Sequence, residues 1–136
     1  MKTGKARKQC DCKDYKYQVC DVCQNVTGKE KDRVPLTFDE LHKINVARCN
    51  SDMRPINSWT PLEWGGCIAG ETGELCNMLK KIKRGEQISK TKLAHELADI
   101  ITYADLLAEV LEVDLGEAVR KKFNIVSKRW GSSFKL

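Results

Sequence analysis

The sequence predicts an all-α protein: an antiparallel four-helix bundle preceded by a small cysteine-rich segment. After Pro35, apolar residues recur every three or four positions, and the segments that carry them begin at Ser, Thr or Asp residues that can cap a helix. No segment shows the alternation typical of strands. At 136 residues the chain has room for one domain with a hydrophobic core. Long helices joined by short connections favour an antiparallel arrangement.

The first two predicted helices begin at threonine residues. Thr37 and Glu40 have the spacing of a capping box and predict a helix over about residues 38–50. A break follows. Thr60, followed by a proline at the favoured first helical position, then predicts a second helix over about residues 61–84.

The last two predicted helices are amphipathic. The third starts near Ser89 or Thr91, and the fourth is capped by Asp114 and ended by Gly131. In the third, the residues expected to face inward are Leu93, Leu97, Ile100, Ile101, Ala104, Leu107, Ala108 and Leu111. In the fourth they are Ala118, Val119, Phe123, Val126 and Trp130.

Residues 1–34 differ in composition from the remainder and are interpreted as a separate cysteine-rich segment, linked to a domain over residues 35–136. They hold nine Lys and Arg against five Asp and Glu, whereas the remainder holds fifteen against fourteen. The net charge of +5 therefore lies mainly in this segment. A nucleic-acid-binding surface is not indicated for the main domain.

The sequence also predicts a cytoplasmic protein. No apolar run is long enough to span a bilayer, and the basic start is not followed by the apolar stretch of a signal peptide. The chain has seven cysteines, an odd number, and some of them lie within predicted helices. This favours reduced thiols over a framework of disulfide bonds. Cys49, Cys67 and Cys76 are expected to be buried helical thiols.

Two pairs of acids suggest a metal site. Glu71 and Glu74 lie three residues apart, as do Glu96 and Asp99, so each pair projects from one face of a helix. None of the residues four positions later is basic: Leu75, Met78, Ile100 and Tyr103. A solvated face with salt bridges is the alternative, but acids among apolar residues need a compensating cation.

Gly70 and Gly73 interrupt the second helix beside its acids. Each interior glycine costs about 1 kcal/mol relative to alanine. They indicate either close packing against another helix or close approach of a ligand.

The segment WTPLEWGGCIAGETGELCNMLKKIKRG, followed by KLAHELADIITYADLLAEVLEVDLGEAVRKKFNIVSKR, resembles the MazG-like branch of the all-α nucleoside triphosphate pyrophosphohydrolases. The shared signature is E-x-x-E on one helix and E-x-x-D on the next, with a G-E-x-G-E-L context and a D-x-x-x-Y continuation. TFDELHKINVARCN also resembles the first helix of single-domain, often phage-encoded members. The resemblance covers about residues 36–131.

This resemblance implies that Glu71, Glu74, Glu96 and Asp99 bind Mg²⁺, with Mn²⁺ as an alternative. Such hard cations prefer oxygen ligands, whereas a di-iron bundle would carry Glu-x-x-His in place of these pairs. The implied reaction is hydrolysis of (deoxy)nucleoside triphosphates to a nucleoside monophosphate and pyrophosphate. Glu74 or Glu71 is expected to accept the proton of the attacking water.

Further side chains are candidates for binding the substrate. The base pocket is expected among His42, Asn45, Arg48 and Trp59 or Trp64. The resemblance adds Tyr103 for the nucleotide and Lys81, Lys121 and Asn124 for the phosphates. Core packing of the aromatic residues and solvation of the lysines are the alternatives. The resemblance also implies a homodimer or higher homo-oligomer.

The spacing of Cys10, Cys12, Cys20 and Cys23 predicts a closed, structural zinc site of four thiolates. A disordered tail with free thiols is the alternative. The rival function for the whole chain is a non-catalytic nucleotide-sensing or nucleic-acid-associated adaptor with a zinc-stabilised basic tail.

Overall fold

The structure, a computed structural model, describes residues 35–136. It contains four α-helices and, in the described residues, no strand, so the predicted all-α class is confirmed. The helices are α1 (Phe38–Arg48), α2 (Pro61–Lys83), α3 (Lys90–Val110) and α4 (Leu115–Arg129). A π turn (Cys49–Met53) and a 3-10 turn (Ile56–Ser58) connect α1 to α2. Leu36–Leu136 form one compact unit.

The helix starts follow the predicted caps. Thr37 Oγ1 accepts a hydrogen bond from the Glu40 amide at 3.1 Å. Thr60 and Glu63 form a full capping box, and the side chains of Ser89 and Asp114 cap α3 and α4. Each cap satisfies amide groups that the first helical turn leaves without a backbone partner.

The ends of α2, α3 and α4 are each followed by a residue in the left-handed backbone conformation. Gly85 (φ +90°) and Gly131 (φ +65°) follow α2 and α4, where glycine avoids the steric cost. After α3 the same conformation falls on Glu112 (φ 54°), a residue with a Cβ. The end of α1 differs from the prediction: the regular helix stops at Arg48, and the chain continues as the π turn.

The most extensive helix contact joins α2 to α3. Residues 84–89 connect them, and so short a connection makes the pair an antiparallel hairpin. α1 packs against α3, and the start of α4 approaches α1. At that approach, a Cβ on Gly116 would come within 3.1 Å of Phe38 Cβ.

The hydrophobic core lies where the π turn, the 3-10 turn, α2 and α3 meet. Its buried members are Cys49, Ile56, Trp64 and Leu106. The Trp64 indole Nε1 donates to the Ile56 carbonyl at 3.2 Å, so this buried tryptophan has its polar atom satisfied. Partly buried residues packed against the core are Val46, Trp59, Tyr103, Leu107 and Val110.

Several residues predicted to face inward are exposed. Trp130 is 81% exposed, Leu97 54% and Ile101 47%. The same holds for Leu111, Val119 and Phe123. Periodicity identified which residues share a helix face, but coverage of that face depends on a neighbouring element.

Of the three helical thiols predicted to be buried, only Cys49 is buried. Cys67 is partly exposed and Cys76 is exposed.

Candidate metal centre

Three carboxylates from two helices converge at one point. Glu71 of α2 and Glu96 and Asp99 of α3 each offer an oxygen, and these oxygens all lie within 4.8 Å of one another. We call these three residues the acid trio. The trio forms because the antiparallel hairpin brings the middle of α2 against the first half of α3. Glu96 and Asp99 share a helix face through their spacing of three.

The fourth predicted ligand, Glu74, is exposed and lies outside the acid trio. It lies about one turn after Glu71 on α2. Its charge nevertheless reaches the trio, because it is among the groups that raise the pKa of Glu71.

The trio concentrates negative charge. Partial burial raises the pKa of Glu71, and the charges of Asp99, Glu74 and Glu96 raise it further, as does a hydrogen bond with Glu96. A divalent cation would remove this repulsion. All three donors are carboxylate oxygens, a set that could hold a divalent metal ion. Asp99 is exposed, which leaves room for water or phosphate oxygens.

Tyr103 lies on α3 one turn after Asp99 and packs at the edge of the core. Burial raises the pKa of its hydroxyl, and the neighbouring charges of Cys67, Glu71 and Asp99 add to the effect, while Arg48 opposes it. Tyr103 is therefore within electrostatic reach of the acid trio and of a cation on α1.

Three of the predicted substrate-binding residues of α1 are linked by hydrogen bonds. Asn45 is buried and donates to the Thr102 carbonyl at 2.9 Å and to Asp105 Oδ2 at 3.0 Å. Arg48 Nη2 donates to Asn45 Oδ1 at 2.9 Å. His42 Nδ1 lies 3.1 Å from Asp105 Oδ1. These contacts hold His42 and Asn45 against α3 and tie Arg48 to Asn45.

Trp59 and Trp64 pack together with ring centroids 4.8 Å apart. The buried Trp64 also lies 6.3 Å from the Tyr103 ring. The guanidinium carbon of Arg54 lies 3.8 Å from the centre of the Trp59 ring, a cation–π contact. Trp64 is thus part of the core, while the partly exposed Trp59 borders it.

The three residues predicted to bind the phosphates lie on two helices, α2 and α4. Lys81 lies in the last turn of α2. Lys121 pairs with Glu117 at 3.5 Å on the exposed face of α4. The Asn124 side chain forms two hydrogen bonds with the Leu136 backbone, at 3.2 and 3.1 Å. These contacts hold the end of the chain against α4, and the role of all three residues in substrate binding stays a prediction.

The sequence interpretation missed Asp105 and Glu109. Asp105 is 2% exposed, and His42 Nε2 lies 3.2 Å from Glu109 Oε2, so both acids of α3 contact one histidine. A detectable signal was present: Asp105 interrupts the apolar run of α3, where an acid needs a polar partner from elsewhere.

A cleft of about 240 Å³ lies beside this contact, between α1, the end of α3 and the start of α4. Its acidic lining includes Asp39, Asp105, Glu109 and Glu112, and the acid trio is not part of it. The cleft and the trio are therefore distinct features. The predicted zinc ligands Cys10, Cys12, Cys20 and Cys23 lie outside the described residues.

Comparison of the chain with protein-family models, with curated proteins and with solved structures gave no match. Among the described helices, none is long and apolar enough to cross a membrane.

Proposed function

We propose that this chain is a Mg²⁺-dependent pyrophosphohydrolase that converts (deoxy)nucleoside triphosphates to nucleoside monophosphates and pyrophosphate. The observation that carries the proposal is the acid trio, whose three carboxylates converge from two helices within 4.8 Å. The E-x-x-E and E-x-x-D resemblance to MazG-like enzymes supplies the substrate class and the bond that is cleaved.

In this proposal Glu71, Glu96 and Asp99 hold the metal. Bound Mg²⁺ would neutralise phosphate charge and lower the pKa of a coordinated water. Glu74 lies about one turn from Glu71 and outside the trio. Its carboxylate is then free to accept a proton from the attacking water, while the trio remains occupied by the metal.

The open surface beside the acids favours a ligand there. A Cβ placed on Gly70 or on Gly73 would meet no atom within 4 Å in the described chain. Packing against another helix of this unit therefore does not explain either glycine. Approach of a triphosphate, or of a second copy of the chain, accounts for both.

We also propose that the protein forms a homodimer or higher homo-oligomer in the cytoplasm. The exposed apolar residues include Leu97 and Ile101 of α3, one turn apart, which a second copy would cover. Among the described residues, Cys49, Cys67 and Cys76 are free thiols, which is compatible with a reducing compartment.

The test is release of pyrophosphate from a panel of nucleoside triphosphates, with Mg²⁺ and with EDTA. Chromatography should identify the monophosphate, because attack at the γ-phosphorus would give a diphosphate and orthophosphate instead. Glu71→Gln should abolish turnover. Glu86→Gln, the same substitution at an exposed position between α2 and α3, is the matched control. A wild type inactive on every nucleotide would overturn the proposal and favour the adaptor.

A further inference from the structure

Asp105 is a carboxylate buried in the apolar part of α3, with only 2% of its surface exposed. Burial of an ionised carboxylate costs free energy unless hydrogen bonds compensate it. Both oxygens of Asp105 have partners on α1. Oδ1 lies 3.1 Å from His42 Nδ1, and Oδ2 accepts from Asn45 Nδ2 at 3.0 Å. Asp105 therefore ties α1 to α3.

The contact with Asp105 fixes the orientation of the Asn45 amide. Its Nδ2 group donates to Asp105 Oδ2 and to the Thr102 carbonyl at 2.9 Å. A flipped amide would place its oxygen against two acceptors. Because the nitrogen faces α3, Oδ1 faces the other way and accepts from Arg48 Nη2 at 2.9 Å.

The Arg48 guanidinium is held by a neutral amide. Among residues 35–136 it forms no ion pair. The carbonyl that anchors Asn45 belongs to Thr102, three residues after Asp99, which places this network about one helical turn from the acid trio. The charges of Arg48, Glu71 and Asp99 all act on the hydroxyl of Tyr103.

We propose that Asp105 is a positioning residue: acting through Asn45, it holds the Arg48 guanidinium where it binds a phosphate group beside the acid trio. A guanidinium suits this role because its planar donors match phosphate oxygens and its charge persists at every physiological pH. The identity of the phosphate as part of a nucleotide rests on the proposed function, whereas the geometry of the anion site does not.

The test measures binding of inorganic tripolyphosphate to the full chain in Mg²⁺ by calorimetry, with Mn²⁺ binding measured separately. Asp105→Leu removes both acceptor oxygens and puts a branched apolar side chain in their place. It should weaken tripolyphosphate binding about tenfold or more, the usual effect of losing a charged hydrogen bond, and leave Mn²⁺ binding unchanged. Arg48→Ala should cause the same loss, and the double variant no further loss.

Asp105→Asn is the rescue variant. Its amide oxygen can still accept from Asn45, so binding should stay close to that of the wild type. Glu109→Gln, which removes the other carboxylate that contacts His42, is the matched control and should bind normally. If Asp105→Leu does not fold, Asn45→Ala breaks the same link and should show the same loss without further loss in combination with Arg48→Ala.

Three results would overturn the proposal: wild-type binding by Asp105→Leu, an equal loss in Asp105→Asn, or additive losses with Arg48→Ala. The readout needs no turnover. A chain that hydrolyses no nucleotide but shows the expected pattern of tripolyphosphate binding would refute the proposed function and support the role of Asp105. An active enzyme in which the losses from Asp105→Leu and Arg48→Ala add together would support the proposed function and refute the role of Asp105.

Discussion

Glu71 of α2 and Glu96 of α3 lie on different helices, yet their carboxylate oxygens lie within 4.8 Å of each other. Burial raises the pKa of Glu71, and the charges of Asp99, Glu74 and Glu96 raise it further, as does the hydrogen bond that a protonated Glu71 can share with Glu96. In the absence of a cation, this arrangement opposes folding once the carboxylates ionise.

Glu71→Gln should stabilise the metal-free protein increasingly as pH rises. Because the native pKa of Glu71 is raised above its ordinary value of 4.5, the native state holds a proton that the unfolded chain releases. The wild-type protein therefore loses stability as pH rises from 4.5 through the raised native pKa of Glu71. Below pH 4.5, Glu71 is protonated in both states and has no such effect. Thermal melts of both proteins in EDTA across this range test the prediction. A difference in Tm that does not change with pH would contradict it.

Glu74→Gln should separate metal binding from catalysis. Because Glu74 lies outside the acid trio, its loss should lower kcat by about 100-fold to 10,000-fold, the usual contribution of a general base, and weaken Mn²⁺ binding less than Glu71→Gln does. Steady-state kinetics and Mn²⁺ titration measure the two effects. If Glu74→Gln weakens Mn²⁺ binding as much as Glu71→Gln, Glu74 is a metal ligand.

Leu97→Lys combined with Ile101→Lys should reduce the assembly to a monomer. Both side chains are about half exposed and lie one turn apart on α3, so a buried interface would have to desolvate two added charges. Light scattering coupled to gel filtration measures the mass. Thr91→Lys adds a charge at an exposed position on the same helix and should not change it. A wild type that is already monomeric at micromolar concentration would contradict the proposed assembly.

Thr60→Ala should lower the free energy of unfolding by about 1 kcal/mol, the usual cost of losing a threonine N-cap. Hydrogen bonds from the backbone and then the side chain of Thr60 lower the pKa of Glu63. The stability that these hydrogen bonds add is therefore present above the ordinary pKa of Glu63 and is lost as pH falls through its lowered native pKa. Thr60→Ala keeps the backbone donor and removes the hydroxyl donor, so only the part of its effect that comes from the hydroxyl's bond to the Glu63 carboxylate should shrink in acid. Urea titrations at two pH values test this, with Thr91→Ala as the control outside a cap.

Deletion of residues 1–34 should remove bound zinc and leave Mg²⁺-dependent hydrolysis largely intact. Four thiolates from Cys10, Cys12, Cys20 and Cys23 would fill a tetrahedral shell, with no position for a catalytic water. Elemental analysis of both proteins and the pyrophosphate assay provide the measurements. A full-length protein without zinc would favour the disordered tail, and lost activity would show that the segment supports the site.

The sequence by itself determined where the helices begin and which acids share a helix face. Caps at Thr37, Thr60, Ser89 and Asp114 act within three residues, and the spacing of Glu96 and Asp99 is fixed by the helical turn, so both were readable locally. The end of α1 was not readable in this way. Cys49 of the π turn packs in the core with Trp64 of α2 and Leu106 of α3, and no local pattern shows contacts between residues so far apart in the sequence.

Only the tertiary structure decided which side chains meet. It brought Glu71 to Glu96 and Asp99 and left Glu74 exposed, and it buried Asp105 against Asn45. It also left Trp130 exposed, although its spacing matched the inward face of α4. Helical periodicity fixes direction around one axis, whereas the distance between two helices depends on how their side chains pack.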